Sequence, residues 1–362
     1  MSPTIDAKPP IPVFDGHNDA AFQLQSFDDE RIEAFLAGTA SGHIDLPRAR
    51  AGSFRGGLFA MMLPSPPTPD TKRDPAFRIT GTGYEVKLAP PVPSDEALRS
   101  CLAQIAGFSK LADQSGGSIR IARTTAEIEG CWRDDALAIV LHLEGAEAIA
   151  PDLSTLDTLY DLEFRSLGIV WSRPNTFGHG VPFRFPASPD TGPGLTDAGV
   201  ELVKRCNALG ILVDVSHLNA QGFRDVVRHS RAPIVATHSS AHAICPTTRN
   251  LTDDQLVAIR DSDGLVGVNF EVSATRPDGY DEPDTPIDVL VAHIEYLVER
   301  VGIERVAFGS DFDGASMPTA IGDVAGLPVL MDAVRQRGYH VESLEKLAYR
   351  SWLRVLHATW QR

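Results

Sequence analysis

Short runs of apolar residues alternate along the chain with longer segments in which apolar residues recur every three or four positions. The short runs predict buried strands, and the longer segments predict amphipathic helices. The predicted strands are residues 11–14, 57–63, 137–143, 167–171, 211–215, 233–236, 264–270 and 306–308. The predicted helices include residues 95–112, 196–209, 220–229, 252–261 and 287–301. Strands that alternate with helices pair in parallel, so the pattern predicts an α/β fold.

Eight strand and helix units in 362 residues favour a closed (β/α)8 TIM barrel that forms a single domain over residues 1–362. An open nucleotide-binding sheet fits less well, because no GxGxxG turn follows an early strand. Two stretches interrupt the rhythm: a proline-rich insertion at 64–94 after the second strand, and a loop at 173–194 after the fourth. In a barrel both are expected on the catalytic face, as lids or subunit contacts.

Composition narrows the classes of partner. The formal net charge of -15, with no cluster of Lys and Arg, argues against binding to nucleic acid or to an anionic membrane. No targeting signal or lipid anchor is recognised, which predicts a cytoplasmic protein. The four cysteines are widely spaced and form no CxxC pair, so buried free thiols are predicted: Cys101, Cys131, Cys206 and Cys245.

Ionisable residues follow five of the eight predicted strands, and all would face the same mouth of the barrel. His17 and Asp19 are two residues apart in an extended segment, so their side chains point the same way, roughly 6–7 Å apart. Burying several unpaired charges in one cavity costs on the order of several kcal/mol per group, unless a metal or a counter-charge is present. These strand-end residues are His17, Asp19, Glu144, His217, His238 and Asp311, and a metal centre is therefore predicted at this mouth.

Specific motifs then point to a family. Residues 13–19, VFDGHND, resemble the start of the renal (membrane) dipeptidases, and residues 43–63, HIDLPRARAGSFRGGLFAMML, resemble their second-strand region. The likeness continues in family order and at similar spacing over essentially the whole barrel, through LEG (143–145), DVSH (214–217), THSSA (237–241), RN (249–250) and GSDFDG (309–314). The chain thus resembles a branch of the amidohydrolase-type metal-dependent hydrolases.

This resemblance implies two divalent metal ions, with Zn²⁺ as the expected metal. His17 and Asp19 would bind one ion, and His217 and His238 the other. Glu144 would bridge both, together with a water or hydroxide that attacks the substrate. Two ions about 3.5–4 Å apart can activate a shared water and polarise a scissile carbonyl, so no protein nucleophile is needed.

The resemblance also assigns two further roles. Asp311 would take a proton from the attacking water and pass it to the leaving amine. Arg249 matches the family's arginine for the substrate's terminal carboxylate, a task that suits the planar guanidinium because it can bind both oxygens.

One departure from the family stands out. Trp171 occupies the position of a histidine that contacts the substrate carbonyl in relatives, and indole can donate one hydrogen bond but cannot become a cation. His179, in the loop that follows, is considered as a replacement that reaches back to the substrate. His142, deeper on the strand, and Asp313 are expected to be structural.

The leading hypothesis is a zinc dipeptidase that cleaves short peptides with a free C-terminal carboxylate, including L-Xaa-D-Xaa dipeptides. Two alternatives remain open. One is metal-assisted hydrolysis of another amide, a lactone or a phosphoester, because the same barrel serves many reactions. The other is a non-catalytic binding protein that retained the barrel. A homodimer is compatible with the two large catalytic-face segments.

Overall fold

The apolar runs of the sequence form a barrel of parallel strands. The computed structural model describes residues 10–67 and 76–360. Its barrel strands pair in chain order. They are β1 (Val13–Asn18), β2 (Phe54–Met61), β3 (Leu137–Glu144), β4 (Ser166–Gly168), β5 (Leu212–Asp214), β6 (Val235–Ala236), β7 (Leu265–Val268) and β8 (Val306–Phe308). The predicted (β/α)8 barrel is confirmed.

The first and last strands meet just beyond their carboxyl ends. The Asp311 amide donates to the His17 carbonyl at 3.0 Å, and the Asp19 amide donates to the Phe312 carbonyl at 2.8 Å. These bonds nearly close the sheet, and they bring the segment after β8 against the residues at the end of β1. The carboxyl ends of all eight strands therefore surround one mouth.

Helices cover the outside of the sheet. Within the described residues the α-helices are Ala20–Leu24, Asp29–Ala37, Leu46–Ala51, Ser94–Gln114, Thr125–Arg133, Ser154–Asp161, Asp197–Leu209, Ala220–His229, Asp253–Asp261, Val272–Thr275, Ile287–Val301, Leu327–Gln336, Val341–Glu345 and Ser351–Trp360. None of these helices combines the length and apolar character needed to span a bilayer. All four cysteines are buried and unpaired, as predicted.

The last helix shows how tightly this layer packs on the barrel. Trp352 is fully buried, and its indole nitrogen donates to the Phe308 carbonyl at 2.8 Å. A Cβ at Gly16 would lie 2.2 Å from the same indole, so β1 has room only for glycine at that position. The C-terminal helix thereby holds β1 and β8, the two strands that meet at the closure.

The two catalytic-face segments are joined to each other. Strands Phe77–Ile79 and Tyr84–Val86, from the 64–94 insertion, form an antiparallel sheet with Arg184–Phe185, from the 173–194 loop. The pattern analysis did not predict this sheet, because its strands have only two or three residues each. Residues 68–75 of the insertion lie outside the described residues.

The structure also corrects the number of strands in the main sheet. Residues Ile119–Ile121 form a ninth strand that pairs with the first half of β3, while β4 pairs with its second half. The extra strand is short and was not recognised in the sequence, because three residues carry little periodicity.

Candidate metal centre

The predicted ligands come together at the carboxyl ends of four strands. His17 and Asp19 lie at the end of β1, Glu144 ends β3, and His217 and His238 follow β5 and β6. All five side chains are buried. Three of them, Asp19, Glu144 and His217, line a cavity of about 750 Å³. The barrel thus concentrates imidazoles and carboxylates at one point.

Glu144 lies between two pairs of ligands. Its Oε1 is 3.1 Å from His217 Nε2 and 3.7 Å from His238 Nε2. Its Oε2 is 3.7 Å from His17 Nε2, and that nitrogen is 3.5 Å from Asp19 Oδ2. Each oxygen of one carboxylate therefore faces a different pair, and both triads are compact enough to hold a metal ion.

The imidazole of His17 supports a metal in particular. The ring is fully buried, yet neither of its nitrogens has a hydrogen-bond partner within the described residues. A buried polar group without a partner is costly. A cation bound at Nε2, between the carboxylates of Asp19 and Glu144, would satisfy this atom, so the donor set fits a metal.

Hydrogen bonds to neighbouring polar side chains orient His217 and His238. Ser172 Oγ lies 2.8 Å from His217 Nδ1. Thr237 Oγ1 donates to Asp214 Oδ2 at 2.7 Å and lies 2.8 Å from His238 Nδ1. Because the hydroxyl has only one proton, it accepts from His238 Nδ1, which leaves the Nε2 lone pair free to bind a metal.

The electrostatics of the cluster also suit a cation. Burial raises the pKa of Glu144 to about 8 and holds the pKa values of His217 and His238 well below the usual range. Burial also opposes the charge of His17, but the carboxylates of Glu144 and Asp19 prevail and raise its pKa to about 10. A divalent ion would take the place of the protons on Glu144 and His17, because it binds ionised carboxylate and neutral imidazole.

Asp311 lies beside the cluster in a strained conformation. Its φ of 64° is in the left-handed region, which non-glycine residues adopt chiefly where the surroundings enforce it. Its Oδ2 accepts from Asn269 Nδ2 at 2.9 Å, and it forms a possible metal-holding group with His17 and His238. Burial raises the pKa of Asp311 to about 7. The carboxylate can therefore exchange a proton near neutral pH.

Arg249 and Trp171 both line the cavity. The Arg249 guanidinium is buried, and its Nη2 donates to the His238 carbonyl at 3.1 Å. The Trp171 ring centroid lies 6.0 Å from that of His217, one of the candidate ligands. His179 does not line the cavity, and its Nδ1 lies 3.3 Å from the Gly194 carbonyl instead. The structure gives no support for His179 as a replacement that reaches the substrate.

His142 belongs to none of the groups that could hold a metal within the described residues. It is fully buried on β3, and its Nδ1 lies 2.8 Å from Ser166 Oγ. Its ring packs edge to face with His17.

Several residues of the site escaped the sequence analysis. Ser172 and Asn269, which contact His217 and Asp311, are common polar residues whose partners are distant in the chain. Asp214 and Thr237 begin two of the quoted motifs, but they were given no role. Among cavity-lining residues, His43 and Glu271 were not singled out either. For His43 a signal existed, since it begins the second of the quoted motifs.

Known proteins of similar sequence identify the family of the chain. Residues 8–361 match the family model for membrane dipeptidase, peptidase family M19. A Klebsiella pneumoniae protein of the pqqA 5′ region is 49% identical over 258 residues, which are 71% of this chain and 95% of that protein.

Solved structures of similar proteins point to the same family. The dipeptidase AC, a metallopeptidase of family M19, is 44% identical with a TM-score of 0.90, and the match covers 98% of this chain and all of that one. A Rhodobacter sphaeroides metallopeptidase, liganded with a phosphinate mimic of L-Ala-D-Ala, is 45% identical with a TM-score of 0.90, over 97% of this chain and 100% of that one. The chain therefore belongs to the membrane dipeptidase family, peptidase family M19, and is a metal-dependent hydrolase.

Proposed function

We propose that the chain is a binuclear zinc dipeptidase that hydrolyses short peptides with a free C-terminal carboxylate. The observation that carries this proposal is the division of the two Glu144 oxygens between two pairs of ligands. Imidazole and carboxylate, with no thiolate nearby, suit Zn²⁺. When bound, two such ions would lower the pKa of a shared water and polarise the scissile carbonyl.

Asp311 is proposed to move the proton. Asn269 holds its Oδ2, whereas Oδ1 has no hydrogen-bond partner within the described residues. Oδ1 can therefore accept a proton from the attacking water and deliver it to the leaving amine. The pKa of about 7 suits both transfers, because the group is neither too weak a base nor too weak an acid at neutral pH.

Arg249 is proposed to bind the C-terminal carboxylate of the substrate. Among the described residues that line the cavity, it is the one arginine or lysine. Its guanidinium stays charged even though burial lowers its pKa. The bond to the His238 carbonyl fixes the side chain next to a metal ligand. Its remaining N–H groups can then hold a carboxylate at a set distance from the scissile bond.

The size of the cavity supports a small substrate. A volume of about 750 Å³ lies within the range of small-molecule sites. The relative from Rhodobacter sphaeroides binds a mimic of L-Ala-D-Ala, which supports L-Xaa-D-Xaa dipeptides as the substrate class. We propose that Trp171 forms the wall that narrows this cavity beside the metal ligands.

Metal content is the first test. We expect about two zinc ions per chain, because six ligand contacts from five residues fill two incomplete shells. Elemental analysis of protein purified without chelator measures the stoichiometry, and a panel of L-L and L-D dipeptides measures turnover before and after chelation. A metal content near zero that zinc does not raise would contradict the metal centre. Full metal with no dipeptide turnover would contradict only the proposed reaction.

Changing Arg249 to Lys should raise KM for dipeptides by roughly 10-fold or more, because the two-pronged contact is lost while the positive charge remains. A matched dipeptide amide, which has no terminal carboxylate, should respond much less. Arg276→Lys serves as the control variant, since Arg276 does not line the cavity. Equal effects of Arg249→Lys on acid and amide substrates would remove the carboxylate role.

A further inference from the structure

His43 lines the cavity but has no part in the proposed chemistry so far. It lies in the connection between β1 and β2, and about 27% of its side chain is exposed. It is not among the groups that can hold a metal within the described residues. Its position in the wall therefore requires a different explanation.

Asp313 fixes the His43 ring from two sides. The His43 amide donates to Asp313 Oδ1 at 2.5 Å, and the Asp313 amide donates to His43 Nδ1 at 2.8 Å. The contact constrains the backbone of both segments: Asp313 has a φ of 68°, and a Cβ at Gly42 would lie 2.3 Å from Asp313 Oδ1. Such strain and close approach mark a geometry that the surroundings enforce.

This arrangement decides where the imidazole proton lies. A backbone N–H can only donate, so His43 Nδ1 accepts, and the proton of the neutral ring is on Nε2. Burial, together with the nearby Arg48, lowers the pKa of His43, which favours the neutral ring. Within the described residues the structure gives Nε2 no hydrogen-bond partner. His43 thus holds a fixed, neutral donor in the cavity wall.

The topology places this donor across the mouth from Arg249. His43 belongs to the connection between β1 and β2, whereas Arg249 follows β6, on the other side of an eight-stranded barrel. In strand order, the candidate ligands Glu144 at the end of β3 and His217 after β5 fall between them. A dipeptide whose carboxylate is at Arg249 and whose peptide bond is at the metal centre would extend its N-terminal residue toward His43. The lining of the cavity also includes the apolar residues Phe22, Met62 and Pro64.

We propose that His43 is a specificity-determining residue for the N-terminal residue of the substrate, and that its Nε2–H donates to an acceptor oxygen on that residue's side chain. Asp313 is the positioning residue that orients the ring. The inference rests on the proposed dipeptidase function and deepens it. It predicts a preference for amide or hydroxyl side chains over apolar ones of equal size.

The test compares two dipeptides of similar shape, L-Gln-D-Ala and L-Met-D-Ala, which differ in the acceptor oxygen. The readout is the ratio of their kcat/KM values. His43→Phe, which keeps a ring without a donor, should lower the Gln-to-Met ratio by roughly tenfold, the contribution of about one hydrogen bond. Turnover of L-Met-D-Ala and the metal content should change little. If the bulkier phenylalanine ring prevents the His43→Phe variant from folding, His43→Leu gives the same readout.

Three further variants separate a binding role from a structural one. His43→Gln places an amide N–H near the position of Nε2 and should retain much of the ratio. Asp313→Ala should lower the ratio, and Asp313→Asn, which keeps an acceptor for the His43 amide, should restore it. His340→Phe, at an exposed histidine away from the cavity, is the matched control.

The outcomes are distinct. A tenfold fall of the ratio in His43→Phe, with the ratio retained in His43→Gln, supports the assignment. An unchanged ratio, or an equal loss on both dipeptides, overturns it while leaving the dipeptidase function in place. A parent protein with full metal that cleaves no dipeptide overturns the proposed function, and this inference with it.

Discussion

Replacing Asp311 with asparagine is expected to lower kcat by roughly 10²–10⁴-fold, the range for a lost general acid or base, while both metal ions stay bound. Asparagine keeps the side chain's shape, and one amide oxygen can still accept from Asn269. It cannot take up a proton and release it at neutral pH. The loss should therefore fall on the chemical step and leave KM for the dipeptide nearly unchanged.

Steady-state kinetics and elemental analysis of the same preparation measure this effect. Asp281→Asn is the matched control, because Asp281 also lines the cavity but belongs to no ligand group within the described residues. It should stay within a few-fold of the parent. If Asp311→Asn instead loses metal in proportion to activity, Asp311 is chiefly a ligand, which its proximity to His17 and His238 would explain.

The second large effect is expected at Glu144. In Glu144→Gln one of the two shared oxygens becomes an amide nitrogen, which has no lone pair to offer a cation, and the bridging charge is lost. We expect the metal content to fall from about two ions to one or fewer. Loss of Lewis-acid stabilisation of several kcal/mol should lower kcat/KM by roughly 10³-fold or more.

Glu271→Gln is the corresponding control, since Glu271 lines the same cavity outside the ligand groups of the described residues. Calorimetric titration of zinc into metal-depleted protein measures both sites. Two ions bound with the parent's affinity in Glu144→Gln would show that Glu144 does not bridge them, and would contradict the binuclear interpretation of its two oxygens.

The barrel and the convergence of the candidate ligands were predictable because both follow from local pattern. Buried parallel strands are nearly continuous apolar runs, so β3 and β8 are visible without any partner. The positions at which these runs end place His17, Glu144 and His238 at one mouth, whatever the details of packing. The bounds of the short strands were harder to predict. β6 has two residues, whereas the apolar run at 233–236 covers four.

The outer layer of the site depends on pairings that no local pattern contains. Asn269 meets Asp311 across 42 residues, and His43 meets Asp313 across 270. Each is an ordinary polar residue until the fold of the barrel brings its partner near. From the sequence Asp313 is expected to be structural, because no catalytic role can be matched to it. The strained φ and the reciprocal bonds to His43 appear only in three dimensions.

The small sheet on the catalytic face has a consequence for protein engineering. Its three strands come from two segments about a hundred residues apart, and the rings of Phe77, Tyr84 and Phe185 stack through it at centroid distances of 6.0 and 6.2 Å. A chimera that takes only one of these segments from a homologue would lose both the strand pairing and the aromatic stack. The two segments should therefore be grafted together, as one transplantable unit that carries the rim of the pocket with it.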